Sequence, residues 1–416
     1  MSNESQQSNF FDETFSEEER KRLDRQLRLP GWNQKALKDS KVVIAGIGGL
    51  GTEIAKNLAM AGVGTLHLID LDIIEYSNLN RQILFSDADE GESKSKVSAR
   101  ALKKINPFSK YIWHHSNLED VDPEVYATAD LIISGLDSVT ARAELNRRAV
   151  HFKKTMIDGG TATYYGHVYT YSPGENACLQ CDPQIERERE TLAACTLVGV
   201  PRKRSHCLLK GQLSFESKHN RTPDTAVIDE MNVVLDYANN LVKEHFPDKS
   251  IFTIDEAVKM VDQHDPTIIT MNAVIASLQS QEAVKILHHV KGIKLGTVNK
   301  EYVIYNGLVG KFFYIEKPHN KKCALCGSAA TIIEEVTIPE TTTIDMLLSI
   351  IKNKGYSYNP EFEPSFWLID KKDPEEVELN LTLKEQDIRN YETLFVTSLT
   401  KNGEEIDLYI RLILKG

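Results

Sequence analysis

Long apolar runs and dense positive charge are both missing from this 416-residue chain. No stretch approaches the roughly 20 apolar residues of a membrane-spanning helix, and the polar start MSNESQQSN lacks the basic and then apolar order of a secretory signal. The chain has 49 Lys and Arg residues against 60 Asp and Glu residues, a net charge of −11, which disfavours nucleic acid and anionic membranes as partners. We therefore expect a cytoplasmic protein with no nucleic-acid or membrane partner.

Cysteine is also scarce, with six residues in the chain. Four of them form two Cys-x-x-Cys pairs, Cys178 with Cys181 and Cys323 with Cys326. In a chain without a secretion signal, such pairs indicate metal or redox chemistry before structural disulfides. Two pairs can close a tetrahedral zinc site with four cysteine ligands. A redox role fits less well, because neither pair opens a helix after a strand.

The order of apolar patterns divides the chain into three parts. Length alone predicts two or three domains. The run KVVIAG, the helical pattern after it and the run TLHLID form a strand–helix–strand unit, which predicts a Rossmann-like, mostly parallel α/β sheet for residues 1–183 and 265–330. Helical patterns replace strands in residues 184–264, an inserted helical domain. A strand, a helix and several strands in residues 331–416 predict a ubiquitin-like β-grasp domain.

A glycine-rich segment lies between the first strand and the first helix of the α/β pattern. Its glycines are Gly46, Gly48, Gly49 and Gly51, and their missing side chains let backbone N–H groups approach a phosphate. Taken alone, the motif also fits a dinucleotide-binding dehydrogenase in which Asp70 binds a ribose hydroxyl. The glycines by themselves leave that alternative open.

The segment after the second strand favours a triphosphate over a dinucleotide. Just beyond the strand end, carboxylates, amides and two cations follow one another: Asp70, Asp72, Asn78, Arg81, Gln82 and Lys94. A polyanion that is split by an attacking carboxylate needs positive charge on both fragments, whereas a nicotinamide needs little of it. Asp137, after the strand LIISG, adds an oxygen ligand that suits Mg²⁺.

These motifs resemble a known superfamily. GIGGLG, DLDIIEYSNLNRQ, GESKSK and SGLD are similar to segments of ubiquitin-activating enzymes and of their bacterial adenylating relatives in molybdopterin and thiamine synthesis. The resemblance covers about residues 20 to 330 and implies an adenylation domain that binds ATP and Mg²⁺. It implies ribose binding by Asp70, phosphate binding by Arg81 and Lys94, a pocket lined by Asn78 and Gln82, and magnesium held by Asp137. It also implies that the two cysteine pairs hold one structural Zn²⁺.

Two further features of the resemblance concern a second subunit and a nucleophile. Arg25, in DRQLRL, matches an arginine that reaches into the ATP site of a partner subunit, and because one chain carries every part we predict a homodimer. Cys195 opens a segment with Pro201 and His206 that resembles the nucleophile segment of the activating enzymes. A lone cysteine is more often a small buried apolar residue, which is what we expect of Cys207.

The resemblance implies a reaction with three parts. ATP adenylates the C-terminal glycine of a ubiquitin-like modifier that ends in di-glycine, Cys195 takes the acyl group as a thioester, and a conjugating enzyme recruited by residues 331–416 receives it. The alternative is an adenylating enzyme for a sulfur-carrier protein in molybdopterin, thiamine or tRNA thiolation pathways. A non-catalytic partner subunit is a third hypothesis, and Arg81, Lys94, Asp137 and Cys195 argue against it.

Overall fold

The computed structural model describes residues 14–181, 201, 203–219, 221–225, 227–261, 267–328, 333–353, 364–370, 374–399 and 405–415. The chain separates into two compact units. One contains Met1–Cys181 and Ile268–Gly416, and the other contains Asp182–Thr267. Cys195 lies outside the described residues.

An eight-stranded sheet forms the centre of the first unit. Its strands are β1 (Lys41–Ala45), β2 (Thr65–Ile69), β3 (Lys110–His114), β4 (Leu131–Ser134), β5 (Met156–Ala162), β6 (Tyr165–Tyr171), β7 (Tyr302–Asn306) and β8 (Lys311–Ile315). They lie in the order β3-β2-β1-β4-β5-β6-β7-β8, parallel from β3 to β5 and antiparallel from β5 to β8. The α/β, Rossmann-like prediction is therefore confirmed. The strand order reverses at β1, so a crevice opens between the carboxyl ends of β1 and β4.

Helices cover this sheet. They are α1 (Glu17–Leu27), α2 (Gln34–Lys38), α3 (Gly49–Ala61), α4 (Lys94–Ile105), α5 (Pro123–Ala127), α6 (Val139–His151) and α10 (Ile269–Val290), with single 3-10 turns at Tyr76–Asn78, Asp87–Asp89 and Leu179–Cys181. The first helix begins after Ser16, whose side chain accepts a hydrogen bond from the N–H of Glu19, and three glutamates occupy its first turn. The core lies between the sheet and its helices; Val42, Val43, Ile44 and Ala45 are completely buried.

A second, five-stranded sheet occupies the C-terminal part of the same unit. It consists of β9 (Ile333–Pro339), β10 (Ser365–Leu368), β11 (Glu375–Glu376), β12 (Thr393–Leu399) and β13 (Glu405–Lys415), with helix α11 (Ile344–Asn353) between its first two strands. The order is β11-β10-β12-β13-β9, and the first and last strands pair in parallel. Leu347, Phe366, Leu394 and Leu412 belong to its own apolar core. This part is the α+β arrangement that the alternating pattern predicts.

Helix α6 and the C-terminal sheet meet through buried charged groups. The fully buried Arg148 donates from Nη2 to the carbonyl oxygen of Asp370 at 2.6 Å. Arg411 of β13 donates to the carbonyl oxygen of His151 at 2.7 Å, and its guanidinium lies 4.6 Å from the centre of the Phe152 ring. Such groups are costly to bury unless they are paired, so these bonds define one docking position for the sheet.

The second unit is helical in its described part. It contains α7 (Arg204–His219), α8 (Ile228–His245) and α9 (Ile254–Val261). Cys207 is completely buried among Phe215, Met231 and Val234, as the sequence predicts for a packing residue, and burial raises the pKa of its thiol. Across the described helices of both units, none has the length and apolar character that crossing a membrane requires.

Candidate nucleotide and metal sites

The glycine-rich loop connects β1 to α3 through very close backbone contacts. Gly46 has a φ of +82°, and a Cβ atom on Gly51 would overlap the carbonyl oxygen of Gly46. A Cβ on Gly135, just after β4, would lie 2.7 Å from the same oxygen. Helix α3 follows from Gly49 with no side-chain cap. Its first N–H groups are thus available to an anion in the crevice between β1 and β4.

Asp70 holds this loop in position. Its Oδ2 accepts a hydrogen bond from the N–H of Ile47 at 2.6 Å, and its Oδ1 accepts one from the N–H of Asp72 at 2.8 Å. Burial raises the pKa of Asp70, while Lys94 and the two N–H groups oppose the rise. The carboxylate therefore orders the glycine loop from the end of β2, where the sequence predicts a ribose-binding group.

Lys94 lies at the start of α4 and is buried beneath the segment that follows β2. Its Nζ is 2.8 Å from Oδ2 of the exposed Asp72, and its backbone N–H donates to the carbonyl oxygen of Asp72 at 3.1 Å. Together with the bond from the Asp72 N–H to Asp70, these two contacts bring Asp70, Asp72 and Lys94 together at one corner of the sheet. The predicted cation and the two predicted carboxylates thus share one site.

The amide and arginine side chains of the same segment are ordered by local bonds. Asn78 is buried and accepts the N–H of Glu75 at 3.2 Å, while Arg81 donates from Nη1 to the carbonyl oxygen of Ser77 at 3.0 Å. Gln82 is 4% exposed, and its Oε1 has no hydrogen-bond partner within the described residues. An unpaired buried acceptor is costly, so this oxygen is available to a donor on a ligand.

Two further predicted residues lie outside this segment. Asp137 follows β4 and is exposed. Because β4 and β1 pair in parallel, Asp137 lies at the same sheet edge as the end of β1. Arg25 lies in the last turn of α1 and is exposed. No hydrogen bond or ion pair to another described residue holds the Arg25 side chain.

A buried polar cluster next to the crevice was not predicted. The Nε of Arg142 lies 3.2 Å from Oδ1 of Asp158, and His167 lies 3.2 Å from Oδ2 of the same carboxylate. Burial opposes ionisation of Asp158, but Arg142 and His167 outweigh it and hold its pKa below the usual value. The run Asp-Gly-Gly at the end of an apolar strand was the one available signal.

Asn272 is a second residue that sequence reasoning missed. It lies in the first turn of α10, is buried, and accepts a hydrogen bond from the Thr161 hydroxyl at 2.8 Å. Its amide occupies the space that a Cβ on Gly49 would need. The side chain therefore packs directly against the glycine loop from a helix more than 200 residues further along the chain. No local motif marks it.

The two cysteine pairs meet although they are far apart in sequence. The Sγ atoms of Cys178 and Cys323 are 3.7 Å apart, those of Cys181 and Cys326 are 3.4 Å apart, and all four lie within 4.8 Å of one another. Tetrahedral zinc with bonds of about 2.3 Å separates its sulfur ligands by about 3.8 Å. All four thiols are free, without disulfides. The donor set and its spacing therefore fit one tetrahedral metal ion.

Comparison with known proteins places the chain in a family. The model of the ThiF family matches residues 23–325. This range includes the eight-stranded sheet, the glycine loop and three of the four clustered cysteines, Cys178, Cys181 and Cys323. The chain belongs to the ThiF family. NEDD8-activating enzyme E1 catalytic subunits from six organisms match this ThiF-family chain over 64–99% of their own length.

Two relatives at 30% identity illustrate this kinship. The chain is 30% identical over 323 residues to the NEDD8-activating enzyme E1 catalytic subunit of Arabidopsis thaliana, covering 74% of this chain and 70% of that protein. It is 30% identical over 360 residues to the protein of the same name from Schizosaccharomyces pombe, covering 78% and 77%. The crystal structure of E. coli MccB with AMPCPP and MccA has a TM-score of 0.49 and 22% identity, covering 77% of each chain.

Proposed function

We propose that this ThiF-family chain is an ATP-dependent activating enzyme for a ubiquitin-like modifier. The choice of reaction rests on one observation, the 30% identity over 323 residues with an activating-enzyme catalytic subunit. The site supports it, because an uncapped helix start, the ordered Asp70 and the buried Lys94 meet at one sheet edge. A dehydrogenase would have little use for two cations in this segment.

The reaction is an adenylyl transfer followed by two acyl transfers. A carboxylate oxygen of the modifier's C-terminal glycine attacks the α-phosphorus of ATP, the bond to the bridging oxygen breaks, and pyrophosphate leaves. The acyl adenylate now carries AMP as its leaving group. The thiolate of Cys195 attacks the acyl carbon, the bond to AMP breaks, and a thioester results. A thiol of a conjugating enzyme takes the acyl group by the same kind of exchange, and we assign recruitment of that enzyme to residues 331–416.

Each residue of the site has a defined part in this scheme. The N–H groups at the start of α3 and the cations Arg81 and Lys94 hold the phosphates, which lowers the energy of the charge that develops on pyrophosphate. Asn78 and Gln82 contact the nucleoside, and Asp70 orders the loop that binds it. Asp137 would hold Mg²⁺, which when bound neutralises charge on the phosphate oxygens.

We further propose that the four clustered cysteines hold Zn²⁺ as a structural ion. The support is the sulfur spacing, which suits a tetrahedral ion, and the soft thiolate donors, which suit zinc. The ion would join two segments that are 145 residues apart in the chain. Because all four positions are taken by protein, such an ion has no open coordination position for catalysis.

The exposed Arg25 supports a homodimer in which this arginine enters the partner's ATP site. Arg25→Ala and Lys94→Ala chains would each lack adenylation activity as separate dimers. Co-expressed, they would form mixed dimers in which one site keeps its own Lys94 and receives the intact Arg25. Recovery of ATP–pyrophosphate exchange in the mixed preparation supports this arrangement, and no recovery despite mixed dimers contradicts it.

A thioester assay tests the function as a whole. Wild-type, Cys195→Ala and Cys207→Ala chains are incubated with ATP, Mg²⁺ and a ubiquitin-like protein that ends in di-glycine, and run on gels with and without reductant. We expect a reductant-sensitive adduct with wild type and with Cys207→Ala, which changes a buried packing thiol, and none with Cys195→Ala. ATP-dependent pyrophosphate release without any adduct would instead support the sulfur-carrier alternative.

A further inference from the structure

The two cysteine pairs are held by different means. Cys323 and Cys326 belong to a turn that closes on itself, since the N–H of Gly327 donates to the carbonyl oxygen of Cys323 at 2.9 Å. The segment of Cys178 and Cys181 depends in addition on side chains from other elements. The hydroxyl of Tyr169 donates to the carbonyl oxygen of Ala177 at 2.5 Å. The side chain of Asn146 also bonds to this segment.

Asn146 lies on α6 and is completely buried beside the Cys178–Cys181 turn. Its Oδ1 accepts a hydrogen bond from the N–H of Leu179, between the two cysteines, at 3.0 Å. Its Nδ2 has no hydrogen-bond partner within the described part of the chain. A buried amide donor without an acceptor costs about 1–3 kcal/mol, so this N–H group is expected to face a group that needs it.

Cys178, which is completely buried and comes one residue before Leu179, offers such a group. A hydrogen bond that favours the thiolate must donate to sulfur, and Nδ2 is the one donor that the Asn146 side chain has. The amide therefore bonds to the backbone of the turn through Oδ1, and its Nδ2 remains as a donor for the sulfur of Cys178.

We propose that Asn146 positions the Cys178–Cys181 half of the metal centre. The proposal rests on the proposed zinc site. The carbonyl of Asn146 fixes Leu179, and its NH₂ group donates to the Cys178 thiolate, so that the turn is presented to the metal in its bound geometry. Four thiolates on one divalent cation leave two negative charges in a buried place, and an N–H donor offsets part of that charge.

The chain offers a matched control. Asn106 is also a buried asparagine, 3% exposed, and its Nδ2 donates to the carbonyl oxygen of Ala59 at 2.8 Å while its Oδ1 accepts the N–H of Phe108 at 3.1 Å. Asn106→Ala therefore removes a buried asparagine side chain and its hydrogen bonds, as Asn146→Ala does, but far from the cysteines in sequence. A general loss of stability would affect both variants.

The experiment measures metal affinity in the full-length protein. Wild type, Asn146→Ala, Asn146→Asp and Asn106→Ala are loaded with Zn²⁺, and affinity is determined by competition with a chromophoric chelator. We expect Asn146→Ala to bind zinc about 10–100-fold more weakly than wild type. Asn106→Ala should match wild type. After loading with Co²⁺, the thiolate-to-cobalt absorption of Asn146→Ala should shift, a change that a purely structural role would not produce.

Asn146→Asp keeps the acceptor for Leu179 and the side-chain shape, but replaces the donor by a carboxylate beside the thiolate. It should bind zinc at least as weakly as Asn146→Ala, and it serves as the test if the alanine variant does not fold. Zinc affinity within twofold of wild type in either folded variant would overturn the role of Asn146. A wild-type protein that binds neither Zn²⁺ nor Co²⁺ would overturn the metal site itself, and neither result bears on the thioester assay.

Discussion

Replacing Arg148 by methionine tests the docking of the C-terminal sheet on α6. The guanidinium of Arg148 is fully buried and bonds to Asp370 through the carbonyl oxygen at 2.6 Å and the carboxylate at 3.4 Å. Methionine fills most of the space but carries no charge. The Asp370 carboxylate, which is 2% exposed, would then keep the hydrogen bond that it accepts from the N–H of Thr393 at 2.6 Å but lose its cation.

The magnitude follows from the cost of an uncompensated buried charge. Removing one partner of a buried ion pair costs about 3–5 kcal/mol. Arg147 and Arg411 also act electrostatically on Asp370, which favours the lower end of that range. We expect Arg148→Met to lower the free energy of unfolding by about 3 kcal/mol. Arg148→Met with Asp370→Asn should lose less than Arg148→Met alone, because no buried carboxylate is then left without its cation.

Urea unfolding of the full chain measures this effect. Trp367 in β10 reports on the C-terminal sheet when the two other tryptophans, Trp32 and Trp113, are replaced by phenylalanine in every variant. Arg147→Met is the matched control on the same helix, because Arg147 is partly exposed and bonds to Glu144 at 2.7 Å. It should cost within about 1 kcal/mol. An Arg148→Met protein within about 1 kcal/mol of wild type would refute the reasoning.

Three further predictions concern pH, the glycine loop and the phosphate site. Burial, helped by nearby arginines, lowers the pKa of His151 to about 2, so below about pH 6.5 the unfolded chain binds a proton that the folded chain does not. Stability should therefore fall by up to about 1.4 kcal/mol per pH unit on acidification, and urea titrations of His151→Gln should show a shallower slope. Gly51→Ala should lower the melting temperature of the nucleotide-free protein because its Cβ has no space, whereas Gly48→Ala, with a nearest contact of 3.9 Å, should not; equal melting temperatures would contradict the observed packing. Lys94→Met should slow ATP–pyrophosphate exchange by about 10²–10³-fold, while the exposed Lys96→Met leaves it unchanged, and equal rates would exclude a phosphate role for Lys94.

Much of the fold could be predicted because its signals are local. The glycine loop, the apolar runs of β1, β2 and β4 and the Ser16 cap each act within a few residues, and each occurs where its pattern indicates. The pairing of the cysteines was also predictable, since Cys-x-x-Cys turns need a second pair to complete a tetrahedral site. For the nucleotide segment, residue order alone predicted that Asp70, Asp72 and Lys94 would lie together.

The remaining contacts could not be predicted because they join residues that share no local pattern. Thr161 and Asn272 are 111 positions apart, and Arg148 and Asp370 are 222 positions apart. Charged and amide residues on a helix are usually solvent-exposed, so α6 by itself gives no sign that Arg148 or Asn146 is buried. Their burial depends on where the C-terminal sheet and the Cys178–Cys181 turn pack, which is a property of the whole fold.

The contacts of α6 also limit how this helix can change in evolution. From its first turn to its last, the helix provides Arg142 to Asp158, Asn146 to the cysteine turn and Arg148 to the C-terminal sheet. An α-helix turns by about 100° per residue. One inserted or deleted residue after Arg142 would therefore rotate Asn146 and Arg148 away from both partners at once. Related chains that keep these contacts should vary in the composition of this helix but preserve its length between those positions.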